Sequence, residues 1–157
     1  MCVVDLGAAP GGWSEYVAGR VETGGQVVAM DILPMAALAD VTFIQGDFTE
    51  QVTYELLLTT LDGRKVDLVL SDMAPNISGV KLVDQPKSMY LAELARDFAQ
   101  QVLAGGGNFL IKLFHGEGFD NYVKSLREMF DKVQVLKPDA SRAKSSEVYL
   151  LARHYTK

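Results

Sequence analysis

Lys112 lies inside an otherwise apolar run, FLIKLF at 109–114, and a charge in such a run is costly to bury unless it is paired or neutral. Two carboxylates occupy places from which they could reach it. Asp72 opens the segment DMAPN at 72–76, just past an apolar stretch, and Glu147 opens EVYL near the C-terminus. A lysine near a strand end can snorkel to water or pair with Asp72 as a purely structural feature. The chemical reading is a desolvated lysine with a lowered pKa that takes a proton from an alcohol, with Glu147 orienting the lysine or the attacking hydroxyl. Asn76, beyond the stiffening Pro75, is a candidate donor to substrate. Methyl transfer to a hydroxyl needs the nucleophile in line and its proton removed, with no metal and no covalent enzyme intermediate. An amine acceptor would call for an Asn-Pro-Pro-Tyr or Asp-Pro-Pro-Tyr loop, which is absent. A cytosine C5 enzyme would need a catalytic cysteine, and Cys2 sits at the wrong end of its strand.

A second group of residues reads as a binding site. In VVDLGAAPGGW at 3–13, Gly7, Gly11 and Gly12 follow an apolar strand and lead into a helix, a place where backbone approaches a ligand closely. The spacing is not the G-x-G-x-x-G of dinucleotide binders, and Pro10 withdraws an amide that a pyrophosphate cradle would use. Asp5, Asp31, Asp47 and Asp72 all fall at the carboxyl ends of predicted strands. Several carboxylates repel a pyrophosphate but suit a cofactor with a positive centre and no phosphates, S-adenosylmethionine. Asp31 is placed for ribose hydroxyls, Asp47 for an adenine amino group, and Trp13 for packing against the pocket. Each aspartate alone reads as a strand-end cap; four in register favour a cofactor.

The elements that must position these residues alternate. Strands are expected at 2–6, 26–31, 41–45, 65–71, 107–114, 132–137 and 146–152, and helices at 12–20, 50–61, 84–104 and 118–130. Asp84 is expected to cap the third helix, with Pro86 in its first turn and the glycines at 105–107 stopping it. The alternation implies an α/β, mostly parallel, doubly wound sheet. Only a short turn-like segment separates the last two strands, so the final strand should run antiparallel.

Composition bounds the rest. Apolar residues at 48% and charged residues at 22% suit a globular fold, and the single cysteine excludes an internal disulfide and suits a reducing, cytoplasmic setting. No apolar run approaches the ~18 residues of a membrane span, and two distant histidines with one cysteine argue against a metal site. A monomer is expected. The net charge of −5 divides unevenly, −8 over residues 1–78 and +3 over residues 79–157. A polyanion would therefore meet the C-terminal half, where Lys132, Lys137, Arg142, Lys144 and Arg153 are candidates.

VVDLGAAPGGWSEYV, DILPM, FIQGDF, LVLSDMAPNISG, MYLAELA, GEGFDNYV and KPDASRAKSSEVYL occur in order along the whole chain. With them the sequence resembles the FtsJ/RrmJ (RlmE-type) family of ribosomal RNA 2′-O-methyltransferases, most closely the bacterial heat-shock-inducible members. The resemblance implies a Rossmann-like class I methyltransferase fold: seven strands, the last antiparallel, with helices on both faces, as a single domain over 1–157. It implies S-adenosylmethionine as donor and a uridine ribose 2′-hydroxyl in large-subunit ribosomal RNA as acceptor, on the assembled large subunit. The family's cofactor contacts fall on Gly11, Trp13, Asp31, Asp47 and Asp72, in addition to the turn residues Gly7 and Pro10 read above. Of its Lys-Asp-Lys-Glu tetrad, Asp72, Lys112 and Glu147 match the last three. The first lysine belongs to a basic helical segment before strand 1 and has no counterpart here, so a catalytic core of a longer protein is expected. A cofactor- and ribosome-binding module without turnover, or an enzyme acting on transfer RNA or a messenger cap, are the alternatives.

Overall fold

A computed structural model describes residues 1–21, 24–75, 78–137 and 147–156. The order is β1 (Cys2–Leu6), α1 (Gly12–Ala18), β2 (Gln26–Asp31), β3 (Val41–Gln45), α2 (Gln51–Leu61), β4 (Val66–Ser71), α3 (Lys81–Val102), β5 (Leu103–Phe114), α4 (Phe119–Met129), β6 (Phe130–Leu136) and β7 (Glu147–Tyr155). One seven-stranded sheet runs β3-β2-β1-β4-β5-β7-β6. β7 is antiparallel to both β5 and β6, and the other described pairings are parallel. The Rossmann-like fold and the antiparallel last strand are as expected.

Side-chain alternation along the strands divides the sheet into two unlike faces. Val4, Val28, Val69, Ile111 and Leu150 point to a large core built with Leu57 of α2, Phe98 of α3 and Leu126 of α4. On α3 the buried residues Ala92, Ala95, Phe98, Ala99 and Val102 recur at three- and four-residue steps, a helical stripe facing that core. The opposite face carries a smaller cluster of Val3, Val27 and Leu70 with Val17 of α1. Helices thus lie on both faces, three against one.

Element boundaries differ from expectation at α3 and β5. Asp84 does not cap α3 from outside. It sits in the first turn, where Oδ1 accepts from the Ser78 amide (2.9 Å) and hydroxyl (2.8 Å) and Oδ2 from the Gly79 amide (3.0 Å). The Ser78 amide foremost holds its carboxyl below the ordinary aspartate value. With the preceding turn tied down from within, the helix starts earlier than expected. Pro86 falls inside it, beyond the first turn, and withdraws one amide from the helical ladder. β5 begins at Leu103, before the glycines, because Leu103 pairs with Val66 and a register shift between Val66 and Leu68 absorbs the extra residues.

Asp5, expected at the cleft, is instead buried beneath it. It is 1% exposed, and the Ser14 hydroxyl donates to its Oδ2 at 2.7 Å, which anchors α1 to β1. Burial pushes its pKa up to about 6; the Ser14 bond opposes the shift, and Asp72 and Asp31 add to it. Because the folded value lies above the ordinary 3.8, the native state holds more protons than the unfolded chain between those values. Stability therefore falls as pH rises from about 4 to about 6 and stays lower above that, by roughly 3 kcal/mol. Asp5→Asn keeps an acceptor for Ser14 and removes the titration. Urea unfolding at pH 4 and pH 7 should show the variant spared that loss, and identical pH dependence in both chains would mean that Asp5 ionises without penalty.

Candidate active site

The carboxyl ends of β1, β2, β3 and β4 open onto a cleft of 510 Å³, within the ~300–1,000 Å³ of small-molecule sites. Gly7, Asp31, Asp47 and Asp72 of the expected set line it. At Gly7 two strand ends come into contact. Its φ is +77°, and an added Cβ would stand 2.8 Å from the Met73 amide nitrogen and 2.9 Å from the Asp72 carbonyl carbon. Only glycine lets the β1 turn and the β4 loop close this far. The turn is also fastened to β2, since the Gly7 and Ala8 amides both donate to the Met30 carbonyl.

The carboxylates are held before any ligand arrives. Asp31 accepts from the Ala9 amide at Oδ2 (2.8 Å) and from the Leu33 amide at Oδ1 (3.0 Å), keeping one lone pair per oxygen for a further donor. Asp47 Oδ1 accepts from both the amide and the hydroxyl of Thr49; among the described residues no donor reaches Oδ2. Gly46 next to it leaves room for buried Thr53, whose Oγ1 would lie 2.6 Å from a Cβ there. Half-exposed Ile32 and Leu33, with Phe48 and Met73, supply apolar wall. Three carboxylates, an apolar wall and a backbone cradle fit an adenosyl cofactor with a cationic centre. They do not fit a pyrophosphate.

Beyond the cleft wall, Lys112 Nζ lies 2.6 Å from Asp72 Oδ1 and 3.7 Å from Glu147 Oε2, with side chains only 16% to 32% exposed. Asp72 Oδ1 is itself buried and receives no hydroxyl or amide donor among the described residues, so the lysine is its counter-charge. Burial alone would push the Lys112 ammonium down. The hydrogen bond and charge of Asp72, with Glu147 and Tyr149, outweigh that and hold it above the ordinary lysine value. The expectation of a lowered pKa is therefore corrected: at rest Lys112 is a paired cation.

Tyr149 is a site residue that the sequence reading missed. It pairs in register with Lys112 across β5 and β7, and burial foremost, then Asp72, raises its phenol. Its two-residue spacing from Glu147 in a strand was the available signal. Lys87 and Tyr90 of α3 also line the cleft, and no local pattern pointed to them. Conversely, Pro10, Gly11 and Trp13 lie outside the wall. Gly11 starts α1 at φ +116° and packs under Met35 and Leu38, each 3.1 Å from a would-be Cβ. Trp13 is 42% exposed on the helix that follows. Of the residues assigned to RNA, Lys137 is exposed just past β6, while Asn76, Arg142 and Lys144 lie outside the described residues. Among the described residues no cluster of His, Cys, Asp or Glu could hold a metal, and no helix is long and apolar enough to cross a membrane.

Residues 1–155 match the model of the FtsJ-like methyltransferase family. "Ribosomal RNA large subunit methyltransferase E" of Chromohalobacter salexigens is 61% identical over 155 residues, 99% of this chain and 74% of that protein. The protein of the same name from Pseudomonas aeruginosa is 58% identical over 155 residues, covering 99% and 75%. Among solved structures, a ribosomal RNA methyltransferase from Plasmodium falciparum superposes with a TM-score of 0.83 at 26% identity, over 98% of this chain and 86% of that one. Human methyltransferase-like protein 13, in complex with SAH, shares the fold with a TM-score of 0.67 at 13% identity, over 99% and 72%.

Gly7→Ala tests the cradle. A Cβ at positive φ and against two backbone atoms must part β1 from the β4 loop, which carries Asp72. The variant should lose roughly 1–3 kcal/mol of stability and bind S-adenosylmethionine at least tenfold more weakly by calorimetry. Unchanged affinity would remove the turn from the binding site.

Proposed function

The chain belongs to the FtsJ-like methyltransferase family, and from that membership we propose that it methylates the 2′-hydroxyl of a uridine ribose in large-subunit ribosomal RNA, on the assembled subunit. It is an S-adenosylmethionine-dependent ribosomal RNA methyltransferase. The observation that carries the finer reading is the Lys112 ammonium clasped between Asp72 and Glu147 beside an acidic cleft. An alcohol is the acceptor that needs such a proton-handling group, whereas a neutral amine does not.

Bound in the cleft, S-adenosylmethionine supplies an electrophilic methyl group on a cationic sulfur. Asp31 and Asp47, already fixed by backbone amides, would accept from its hydroxyl and amino groups. Asp72 both lines the cleft and pairs with Lys112, so one carboxylate would serve the cation of the donor as well as that of the base. Neutral Lys112 would take the hydroxyl proton as the hydroxyl oxygen bonds to the methyl carbon and the methyl–sulfur bond breaks, its electron pair leaving with sulfur as a neutral thioether. The O–H bond breaks, an Nζ–H bond forms, and the ammonium that results is the species Asp72 and Glu147 already stabilise. Glu147 helps hold the lysine at the strand end, with Tyr149 its register partner on β7.

Since Lys112 rests as an ammonium with a pKa above the ordinary 10.5, only its minor neutral fraction is competent as a base. Log kcat/KM should rise with pH at a slope near one through neutral and mildly alkaline values. Lys112→Ala should lower incorporation of labelled methyl into unmethylated large subunits by about 10²–10⁴-fold while cofactor affinity changes little. A flat pH profile, or a variant with wild-type rate, would remove Lys112 from base duty. Transfer to transfer RNA or to capped messenger alone would reassign the acceptor. Tight cofactor binding with no transfer to any RNA would leave a binding module.

A further inference from the structure

The cleft has one wall that the reaction above does not use. Lys87 and Tyr90 lie three residues apart in α3, on one edge of the helix, and both line the cleft. Tyr90 is 52% exposed, a large ring kept at a mouth rather than in a core. The buried stripe from Ala92 to Val102 anchors the rest of α3, so this edge is rigidly presented. Asp84, one turn before Lys87, commits both carboxylate oxygens to Ser78 and Gly79.

Charge says what this edge meets. The other charged residues lining the cleft are Asp31, Asp47 and Asp72, and Lys87 is the cation among the described lining residues. Three carboxylates attract a cationic donor and repel a phosphate chain. An RNA acceptor entering that field needs a positive group at the rim and a surface that holds an unstacked base, and an exposed aromatic ring beside a lysine offers both. Resting on the reading that RNA is the acceptor, we propose that Lys87 and Tyr90 anchor the acceptor strand at the cleft mouth. Tyr90 stacks on an unpaired nucleobase and Lys87 meets an adjacent phosphate.

The test uses the whole chain, a fluorescein-labelled single-stranded RNA oligonucleotide read by anisotropy over a range of KCl concentrations, and calorimetry with S-adenosylmethionine. Tyr90→Ala should weaken RNA binding by about 5- to 150-fold, the worth of one stacked base, and Tyr90→Phe should restore it. Lys87→Gln should lower the slope of log K against log salt by about 0.7, one single-strand phosphate contact. Both variants should keep wild-type cofactor affinity and melting temperature. Wild-type RNA affinity in both variants would overturn the proposal. So would weakened cofactor binding with RNA binding intact, because Tyr90 would then be a wall for the adenosine and Lys87 a partner of the donor's carboxylate. Absence of any RNA binding by the wild-type chain would overturn it as well. Methyl incorporation by the wild-type chain is scored separately: its failure alongside Tyr90-dependent RNA binding would sink the catalytic reading and leave this one standing.

Discussion

A lysine inside a sheet must be met by opposite charge, and the pairing of Lys112 with Asp72 ties the site to the fold. The 2.6 Å contact requires β4 and β5 to be neighbours in a register that places both strand ends level. Leu70 opposite Leu110 provides that register. Glu147 then has to come from the strand on the other side of β5, and β7 supplies it by running antiparallel with Phe114 opposite Glu147. A parallel β7 would start at the far edge of the sheet and carry Glu147 away from the lysine. The reversal of the last strand is therefore part of the site's construction.

The same alternation explains why the chemistry lies on the thinly covered face. Asp5, Leu70, Leu110 and Leu151 follow one another across four strands, so Asp31, Asp72, Lys112, Tyr149 and Glu147 project to the side that α1 covers. The opposite positions, among them Ile111, Leu113, Val148 and Leu150, are buried under α3 and α4. A one-residue slip in β5 would place Lys112 in that core with no partner. The heavy apolar packing on one face thus fixes the register that the charges on the other require.

Much of this was legible from residue order because strand ends, glycine turns and acids at the sheet edge are local signals. VAMD, VLSD and FLIKLF each mark a strand whose last polar residue reaches the edge. What escaped depends on contacts distant in sequence. Asp5 resembles Asp31 in local setting, yet a serine nine residues on buries it. Lys112 reads as a desolvated base until Asp72, Glu147 and Tyr149 are counted around it, and they reverse the direction of its shift. The start of α3 moved because Asp84 bonds backward to Ser78 and Gly79, and the α3 wall of the cleft became visible only through the packing of that helix.

The site has to satisfy two partners of opposite charge. Carboxylates that welcome a sulfonium also repel RNA, and screening at physiological salt, with a Debye length of ~8 Å, does not remove this at contact distances. Segregation along the chain answers part of it, with −8 over the first half and +3 over the second. The first half contributes Asp31, Asp47 and Asp72; the second contributes Lys87, Lys112 and the exposed Lys132, Lys137 and Arg153. Within the site, Lys112 removes part of Asp72's field at the edge of the cleft. The ion pair that holds Lys112 as an ammonium at rest is therefore also what makes this end of the cleft less hostile to a phosphate. A stronger base at this position would require weaker pairing, and Asp72 would then face the RNA uncompensated.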